Sequence, residues 1–322
     1  MSKHKIASIF SFCSNDWRFF KSCIEGARHF SDQILVTVCD HFFDGSPENY
    51  ALLEEAYRNY PDVQFVEFAF DPNRSYNAYS SISLEHPLWR LECHNIGRWI
   101  SYFFIKDEID YLYYCDGDEI TEGKRFSDWL DTQDYQNHSA MRFSCYWYFR
   151  EARYRAVTDD DMSLLIRKDL LKPEMYWDEH ERMGLYLSVP GKKMIHVKGT
   201  DGSPLVHHYS WVRTRDEMDK KFATWRHYWE RDWKQLLEQE YERPFSGVDF
   251  IRQYSYIEEK PVFDPLEVEI PTLKAIGFDE HIENVKLFDN VRRVCRQEMF
   301  RRELEHVFAI RENSDRHQFL QQ

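Results

Sequence analysis

Three acidic side chains follow a short run of strand-forming residues near the middle of the chain. Tyr111–Cys115 reads Tyr-Leu-Tyr-Tyr-Cys, and Asp116, Gly117, Asp118 and Glu119 come directly after it. Tyr and Cys suit a buried strand, and a glycine lets the backbone turn so that neighbouring carboxylates converge. Carboxylates this close repel one another unless a cation lies among them or water reaches them. Because hard oxygen ligands favour Mg²⁺ or Mn²⁺, the segment predicts either a metal site that carries nucleotide phosphates or a solvated acidic turn.

The elements that must position these carboxylates alternate between strands and helices. Apolar runs, helix caps and helical periodicity predict, in chain order, strand Ile6–Phe12, a helix from Ser14 or Asn15 to about Phe30, strand Gln33–Cys39, a helix from Ser46 to Tyr60, strand Val63–Phe68, a helix from Trp89 to Lys106 and strand Tyr111–Cys115. This order predicts an α/β fold with a mainly parallel sheet covered by helices on both faces. Ligands bind at the carboxyl ends of the strands in such sheets, which is where Ser11, Asn15, Asp40 and Asp116 would lie.

The organisation changes after the acidic segment. The predicted elements are strands 139–149 and 163–167 joined by a charged loop, short strands 191–198 and 205–209, one long helix from 215 to about 241, and a last helix from about 283 to 310. Aromatic residues recur every three or four positions along the long helix, which indicates packing against the core rather than a ligand site.

Composition and charge exclude several classes of protein. With 322 residues, 43% of them hydrophobic and 17% aromatic, the chain can form one large domain or two small ones with an ample core. A net charge of −14 argues against a broad surface for nucleic acid or anionic membranes. Seven irregularly spaced cysteines are typical of reduced thiols in the cytosol. No signal peptide and no apolar run of membrane-spanning length can be recognised, so we expect a soluble cytoplasmic protein.

Two acidic motifs carry a resemblance to a known family. Over about residues 6–218 the chain resembles the GT-A superfamily of nucleotide-sugar glycosyltransferases, which have a Rossmann-like sheet, and in particular its family-2-like members. Asp116 and Asp118 resemble the family's DxD motif, whose carboxylates hold a divalent metal against the donor diphosphate. Asp40, followed by Asp44–Glu48, resembles the element whose first aspartate contacts the nucleobase; here three residues separate two aspartates that are adjacent in the family.

The segment Leu205–Arg213 resembles a His-Tyr-Ser-Trp-Val segment of the same enzymes, in which a histidine completes the metal site. An imidazole is a good ligand for Mn²⁺ and a poor one for Mg²⁺. His207 and His208 are neighbours on a predicted strand, so their side chains point to opposite faces and only one can reach the metal. The resemblance selects His208; the alternative is that both are ordinary polar residues near a strand end. Arg213 could bind the diphosphate with its planar fork, or lie in solvent where the next helix starts.

Other polar residues resemble the family's sugar-binding and catalytic positions. Arg90, Asn95 and Arg98 resemble an Ala-Arg-Asn-x-Gly helix that lines the donor sugar, although an exposed basic face explains them as well. The segment Trp177–Glu181 lies between the two metal segments, where the family places the general base of an inverting enzyme, and Asp178 and Glu179 are the residues chosen within it.

Alternatives to these assignments stay open at the level of the sequence. Asp159–Asp161 is a rival for the base, but three consecutive aspartates in a loop are usually solvated. A retaining enzyme would not need the base at all. The aromatic run Tyr146–Phe149 could form a platform for an acceptor sugar or belong to the core of the sheet.

We therefore expect a metal-dependent glycosyltransferase that moves a sugar from a nucleoside-diphosphate sugar, with a UDP-sugar as first choice, to an acceptor hydroxyl on a glycan, a lipid or another molecule. Its cofactor would be Mn²⁺ or Mg²⁺. The expected organisation is a GT-A catalytic domain over residues 1–275, with a nucleotide-sugar half to about residue 120 and an acceptor half from about residue 121. A C-terminal helical extension would follow over residues 276–322.

Two other functions compete with this one. A sugar-phosphate nucleotidyltransferase uses a similar sheet and acidic pair, but it usually carries a glycine-rich basic loop after the first strand, and Phe12–Arg18 contains no glycine. A non-catalytic GT-A-like binding protein would keep the fold without the chemistry; Asp116, Asp118 and His208 weigh against it. Arginines beside apolar residues in the final helix allow a peripheral membrane contact, although interleaved glutamates favour packing on the domain.

Overall fold

The computed structural model of the chain describes residues 4–70, 89–132, 134–225, 227, 229–299, 301 and 302. Its strands, all within one sheet, are β1 (Ile6–Phe12), β2 (Gln33–Cys39), β3 (Gln64–Phe68), β4 (Tyr111–Asp116), β5 (Glu119–Thr121), β6 (Ala140–Phe149), β7 (Glu151–Ala156), β8 (Asp160–Arg167), β9 (Lys193–Val197), β10 (Val206–Trp211), β11 (Tyr256–Glu258) and β12 (Val291–Val294). Its helices are α1 (Trp17–Ala27), α2 (Tyr50–Asn59), α3 (Trp89–Tyr102), α4 (Gly123–Leu130), α5 (Arg182–Ser188), α6 (Arg215–Thr224), α7 (Trp233–Tyr241) and α8 (Phe278–Val285). Within the described ranges, no helix combines the length and the apolar character needed to cross a membrane.

One half of the sheet is parallel, in the order β12-β3-β2-β1-β4. Every residue of β2 is buried, as expected for an apolar strand covered on both faces. Neighbouring residues of β1 face opposite sides of the sheet, since Phe10 packs in the cluster that contains α1 and α2 and Ile9 packs in the cluster that contains α3. The predicted α/β fold is confirmed, and the carboxyl ends of β1, β2 and β4 lie at one edge.

The other half of the sheet is mainly antiparallel. β4 pairs with β8, β8 with β6, β6 with β7, and β7 with β11. The charged loop predicted at 150–161 is wrong, because Glu151–Ala156 folds back on β6 as β7, with Arg150 at the reversal in a backbone conformation of positive φ (66°). β10 runs between β5 and β6, which brings its histidines beside the acidic turn that follows β4.

The long helix predicted from 215 to 241 is wrong as a single element. α6 ends at Thr224, and α7 begins at Trp233, where the side chain of Asp232 accepts a hydrogen bond from the backbone N–H of Gln235 at 3.0 Å. The aromatic stripe packs on the core only in part. Phe222 and Trp233 lie in one buried cluster with aromatic residues of β6 and β10 as predicted, whereas Trp229 is half exposed. Trp225 and Trp233 also line a cavity, so the prediction that the stripe is not part of a ligand site is not confirmed.

Two other predicted helices also differ from the structure. α2 begins after Asn49 rather than at Ser46, because the Asn49 side chain caps it by accepting the N–H of Leu52 at 3.2 Å. The helix predicted over 283–310 contains the end of α8 and then β12, which extends the sheet beside β3. The segment beyond residue 302 lies outside the described residues, and the domain boundary at residue 275 stays a prediction.

Candidate functional site

A cavity of about 450 Å³ opens along the carboxyl edge of the parallel strands. Its near end lies over β1, β2 and α3, with Ser11, Thr37 and Gly97 in the wall. A Cβ atom at Gly97 would lie 3.0 Å from Oγ1 of Thr37, so any larger residue would require a small shift of α3 or of the Thr37 side chain. The middle of the cavity lies against the acidic turn after β4 and against β10. The strand ends selected from the sequence therefore meet at one cavity.

Asp116, at the end of β4, is held by two arginines. Arg98 of α3 donates to Oδ1 at 2.8 Å, and Arg182 of α5 donates to Oδ2 at 2.9 Å. Burial raises the pKa of Asp116, but the charges of Arg182 and Arg98 outweigh it and hold that pKa well below its usual range. Arg182 also donates to both oxygens of the buried Glu119, at 2.6 and 2.7 Å. Both oxygens of Asp116 thus accept charge-assisted hydrogen bonds from the protein itself.

Asp118 lies at the middle of the cavity with a different set of neighbours. Its Oδ2 accepts from Arg213 at 2.9 Å and from Lys221 at 3.2 Å, and its Oδ1 lies 3.4 Å from Nε2 of His208. Burial raises the pKa of Asp118, but Lys221, His208 and Arg213 outweigh it and hold that pKa well below its usual range. Arg213 donates in addition to Asp16 at 2.6 Å, so its guanidinium bridges two carboxylates.

The two histidines of β10 face opposite sides of the sheet, as the sequence predicts. His208 faces the cavity, and its buried Nδ1 makes no hydrogen bond to any residue that the structure describes. His207 faces the other side, where it bonds the hydroxyl of Tyr148 at 2.8 Å and a carboxylate oxygen of Glu122 at 3.0 Å. Of the two, His208 is therefore the one that can reach a ligand beside Asp118.

The side chains at the middle of the cavity fit a divalent ion only with help from a ligand. Among the described residues, no three His, Cys, Asp or Glu side chains converge into a complete metal site. Asp118 and His208 offer one oxygen and one nitrogen 3.4 Å apart, which suits an ion that takes its other ligands from a substrate and water. Asp116 differs, because Arg98 and Arg182 occupy both of its oxygens.

The two residues predicted as the general base do not line the cavity, but their neighbour Glu181 does. Asp178 accepts hydrogen bonds from the backbone and ring of His180 at 2.7 and 2.9 Å, and Glu179 is exposed. Glu181 precedes α5 with a φ of 53°, and its Oε2 accepts from Arg98 at 2.9 Å. A non-glycine residue in such a conformation is strained, and strained residues concentrate at functional sites.

Of the other residues selected from the sequence, Ser11, Asn15 and Arg213 line the cavity, and three do not. Asp40 is buried against Arg293 of β12, which donates to it at 2.7 Å. Arg90 donates to backbone carbonyls at the end of α6. Asn95 donates to the backbone carbonyl of Asp178 at 3.1 Å. These three contacts join elements around the cavity rather than face into it.

Several residues of the cavity were missed by the sequence analysis. Glu181 lies two residues after the selected Glu179 but was not chosen, and Arg182 begins α5, which the sequence analysis did not predict. Lys221 had a readable signal, since it lies one residue before Phe222 on the buried side of α6. Glu48 is buried at the near end, where its carboxylate accepts the N–H and the hydroxyl of Ser14, and burial raises its pKa to about 7.

The far end of the cavity is aromatic and basic. Three tryptophans of β6, α7 and the connection between α6 and α7 lie in its wall together with two arginines: Trp147, Trp225, Trp233, Arg231 and Arg252. Within the predicted aromatic run, Trp147 faces the cavity, whereas Tyr148 faces the opposite side and stacks on Tyr209. The run therefore contributes both to the cavity and to the core.

Comparisons with known proteins found similar structures only. No family model matches the chain, and no curated protein matches it. The crystal structure of 4-diphosphocytidyl-2C-methyl-D-erythritol synthase from Anaerococcus prevotii has a TM-score of 0.39 at 10% identity and covers 71% of this chain and 100% of its own. The glycosyltransferase GlyE from Streptococcus pneumoniae has a TM-score of 0.36 at 13% identity and covers 74% of this chain and 64% of its own.

A third similar structure is glucosyl-3-phosphoglycerate synthase from Mycobacterium tuberculosis, in complex with Mn²⁺, UDP and phosphoglyceric acid. Its TM-score is 0.36 at 14% identity, and the match covers 81% of this chain and 88% of that chain. With TM-scores below 0.4, the chemistry of this protein has to be inferred from its own cavity.

Proposed function

We propose that this protein transfers a sugar from a nucleoside-diphosphate sugar to an acceptor hydroxyl. The observation that carries the proposal is the middle of the cavity, where Asp118, His208, Arg213 and Lys221 meet at the carboxyl edge of the sheet. A diphosphate suits this group, because its negative charge can be balanced by two buried cations and by a divalent ion held between two metal ligands. The cavity continues on both sides of the group, which leaves room for a nucleoside at the near end and an acceptor at the far end.

Asp118 and His208 would hold the divalent ion, with Mn²⁺ preferred over Mg²⁺ because one ligand is an imidazole. When bound, the ion would neutralise charge on the diphosphate that leaves the sugar. Asp116 would act from outside this ligand pair, by holding Arg182 at the wall of the cavity.

Arg213 and Lys221 would stabilise the leaving diphosphate from the protein side. The Arg213 side chain is 1% exposed, and its bonds to Asp16 and Asp118 hold the guanidinium in place before any ligand arrives. Negative charge grows on the diphosphate as its bond to the sugar breaks. Cations that are already in position stabilise that charge without the cost of reorganisation.

Glu181 is our candidate for the general base. In an inverting transfer the acceptor oxygen attacks the anomeric carbon, its proton passes to a carboxylate, and the diphosphate leaves with the electron pair of the broken bond. Glu181 lines the cavity, and its contact with Arg98 orients it. Glu181→Gln should lower kcat by roughly 10²- to 10⁴-fold while donor binding persists. Equal loss of donor binding would assign Glu181 to the donor site instead.

The first test is a thermal-shift panel of UDP-, GDP-, CMP- and dTDP-sugars, each with Mn²⁺, Mg²⁺ or EDTA. A ligand that binds the folded protein raises Tm. One nucleotide family, with UDP as first choice, should raise the Tm of the wild type in Mn²⁺ but not that of Asp118→Asn. Asp159→Asn is the matched control, because Asp159 bonds Lys198 outside the cavity.

Two other results, one from this panel and one from a separate activity assay, would favour the competing functions. No shift with any donor would contradict the proposed function and favour a non-catalytic protein. Release of pyrophosphate from UTP or CTP in the presence of a sugar phosphate, without sugar transfer, would identify a nucleotidyltransferase.

A further inference from the structure

The polar groups at the far end of the cavity are mainly hydrogen-bond donors. Arg231 and Arg252 carry guanidinium groups, and the buried indole N–H of Trp147 makes no hydrogen bond to a described residue, whereas that of Trp233 already donates to the backbone carbonyl of His227 at 2.6 Å. Among the described residues at this end, the carboxylate is Glu230, which contacts the ring of His227. A neutral sugar hydroxyl both donates and accepts, whereas a carboxylate or phosphate group only accepts. This end of the cavity therefore suits an anionic group better than a neutral sugar.

Arg252 is presented by a loop that a buried carboxylate organises. Asp249 is 1% exposed, and its Oδ1 accepts the backbone N–H groups of Ile251 and Arg252 at 2.7 and 2.6 Å. Its Oδ2 accepts the hydroxyl of Tyr256 at 2.9 Å. The guanidinium of Arg252 lies over the ring of Trp147, 4.7 Å from its centre. The position of this cation is thus set before a ligand binds.

The ion pair of Arg252 leaves part of the guanidinium for a ligand. Its Nη1 donates to Asp160 of β8, which does not line the cavity. The guanidinium carries five N–H donors in a fork that matches the two oxygens of a carboxylate or phosphate. Asp160 therefore orients the fork without satisfying all of it.

Arg231 flanks the same loop from the other side. Its Nη1 donates to the backbone carbonyl of Phe250 at 2.9 Å, and its guanidinium lies over Trp233 at 5.4 Å. Within the described part of the chain, no carboxylate forms an ion pair with Arg231, so its positive charge is not cancelled there by an ion-paired carboxylate. Arg231 comes from the connection that precedes α7 and Arg252 from the loop that follows α7; together they form a pair of cations, which we call the arginine pair.

The arginine pair lies close to the middle of the cavity. The guanidinium of Arg252 packs on the ring of Trp147, and that ring also makes an edge contact with the ring of His208, with the two ring centres 4.6 Å apart. A small molecule that binds the arginine pair through an anionic group can therefore place a hydroxyl toward the donor sugar. The indole faces of the far end suit the C–H groups of a polyhydroxylated molecule between the two.

We infer that the acceptor is a small polyhydroxylated molecule with a carboxylate or phosphate group, and that Arg252 and Arg231 hold that group. The inference rests on the proposed function, since it assigns the acceptor of the same reaction. The two anionic groups share the chemistry that a guanidinium fork recognises, so the experiment separates them.

Binding to the UDP-loaded protein tests the inference. The full chain is first saturated with UDP and Mn²⁺, so that these ligands fill the middle of the cavity. It is then titrated by calorimetry with glucose 6-phosphate, glucuronate and glucose in separate experiments. At least one of the two anions should bind at least about tenfold more tightly than neutral glucose, which corresponds to about 1.4 kcal/mol. Arg252→Met and Arg231→Met should each remove most of this preference without changing UDP affinity.

Arg153→Met is the matched control. Arg153 is as exposed as Arg252, stacks on Tyr154 at 4.8 Å and pairs with Glu258 at 2.9 Å, but it lies outside the cavity. This variant should keep the preference for anions. Equal affinity for glucose and both anions, binding of none of the three, or loss of the preference in Arg153→Met would overturn the inference. When UDP does not bind, the nucleoside diphosphate of the donor that raises Tm in the panel replaces it. Failure of every donor of the panel to bind would instead contradict the proposed function, and the arginine variants would then be compared by anion binding alone.

Discussion

Arg182 is the buried cation of the acidic turn after β4, and Arg182→Met should destabilise the protein by about 3–5 kcal/mol. Its guanidinium donates to Glu119 at 2.6 and 2.7 Å and to Asp116 at 2.9 Å. Glu119 has no exposed surface, so loss of the guanidinium leaves a buried carboxylate without its cation. Taking roughly 2–4 °C for each kcal/mol in a large domain, we expect Tm to fall by roughly 6–20 °C.

Two further variants separate loss of charge from loss of packing. Arg182→Met combined with Glu119→Gln removes both members of the buried pair and should recover at least half of the lost stability. Arg167→Met breaks an exposed pair with Asp169 and should cost less than about 1 kcal/mol. Urea unfolding at pH 7 measures all three variants. The reasoning is refuted when Arg182→Met costs no more than Arg167→Met, or when the double variant is as unstable as the single one.

Three other predictions concern the metal ligands and two buried titratable groups. His208→Ala should weaken the Mn²⁺ affinity of the UDP complex by at least about tenfold, whereas His207→Ala, on the other face of the sheet, should leave it unchanged. A larger loss of Mn²⁺ affinity in His207→Ala, measured by Mn²⁺ titration, would show that the wrong histidine was chosen. The pKa of Glu48 is raised to about 7 from 4.5, so its contribution to stability is complete below pH 4.5 and is lost as the pH rises to 7. Glu48→Gln should remove that loss of stability. The prediction is contradicted when the free energy of unfolding varies with pH in the same way in the variant and the wild type. Burial lowers the pKa of His281, but its bonds to Glu67 and Glu54 outweigh burial and raise that pKa. The stabilisation of the folded state by protonated His281 is therefore present below about pH 6.5 and is lost as the pH rises through the raised pKa. Hydrogen exchange of α8 should show this pH dependence in the wild type and not in His281→Gln.

Two strands that are buried on both faces, β1 and β2, could be predicted from the sequence to the residue. β1 and β2 begin and end where the apolar runs Ile6–Phe12 and Gln33–Cys39 do, because each residue of such a strand carries the signal. β7 could not be predicted, since only half of its surface is covered and its Glu and Arg residues resemble those of a charged loop. β12 is four residues long and depends on a distant partner, β3, with Arg293 reaching the buried Glu67. Pairings of this kind have no local signal.

The candidate site divides in the same way. Asp118 and His208 could be selected because each belongs to a short motif at the end or side of a strand, and the structure places them 3.4 Å apart. Of the cations around the acidic turn, Arg213 was selected, but Arg182 and Lys221 were not, because they meet carboxylates that lie far away in the sequence. Glu181 was passed over because position in a cluster of acidic residues does not reveal which side chain faces the cavity. Local sequence thus predicts the carboxylates, and tertiary structure determines their partners.

The different neighbours of the two aspartates argue that they have different roles. Asp116 receives an arginine on each oxygen, so its charge is balanced within the protein and a metal ion would compete with two guanidinium groups for it. Oδ2 of Asp118 accepts hydrogen bonds from both Arg213 and Lys221, while Oδ1 faces His208 across a distance that an ion can bridge. Under the proposed function, a diphosphate that arrives with a divalent ion would therefore meet the ion's ligands, Oδ1 of Asp118 and His208, on one side and two buried cations on the other. In this arrangement Asp116 maintains the wall of the cavity, and Asp118 is the aspartate that a donor would contact through its metal.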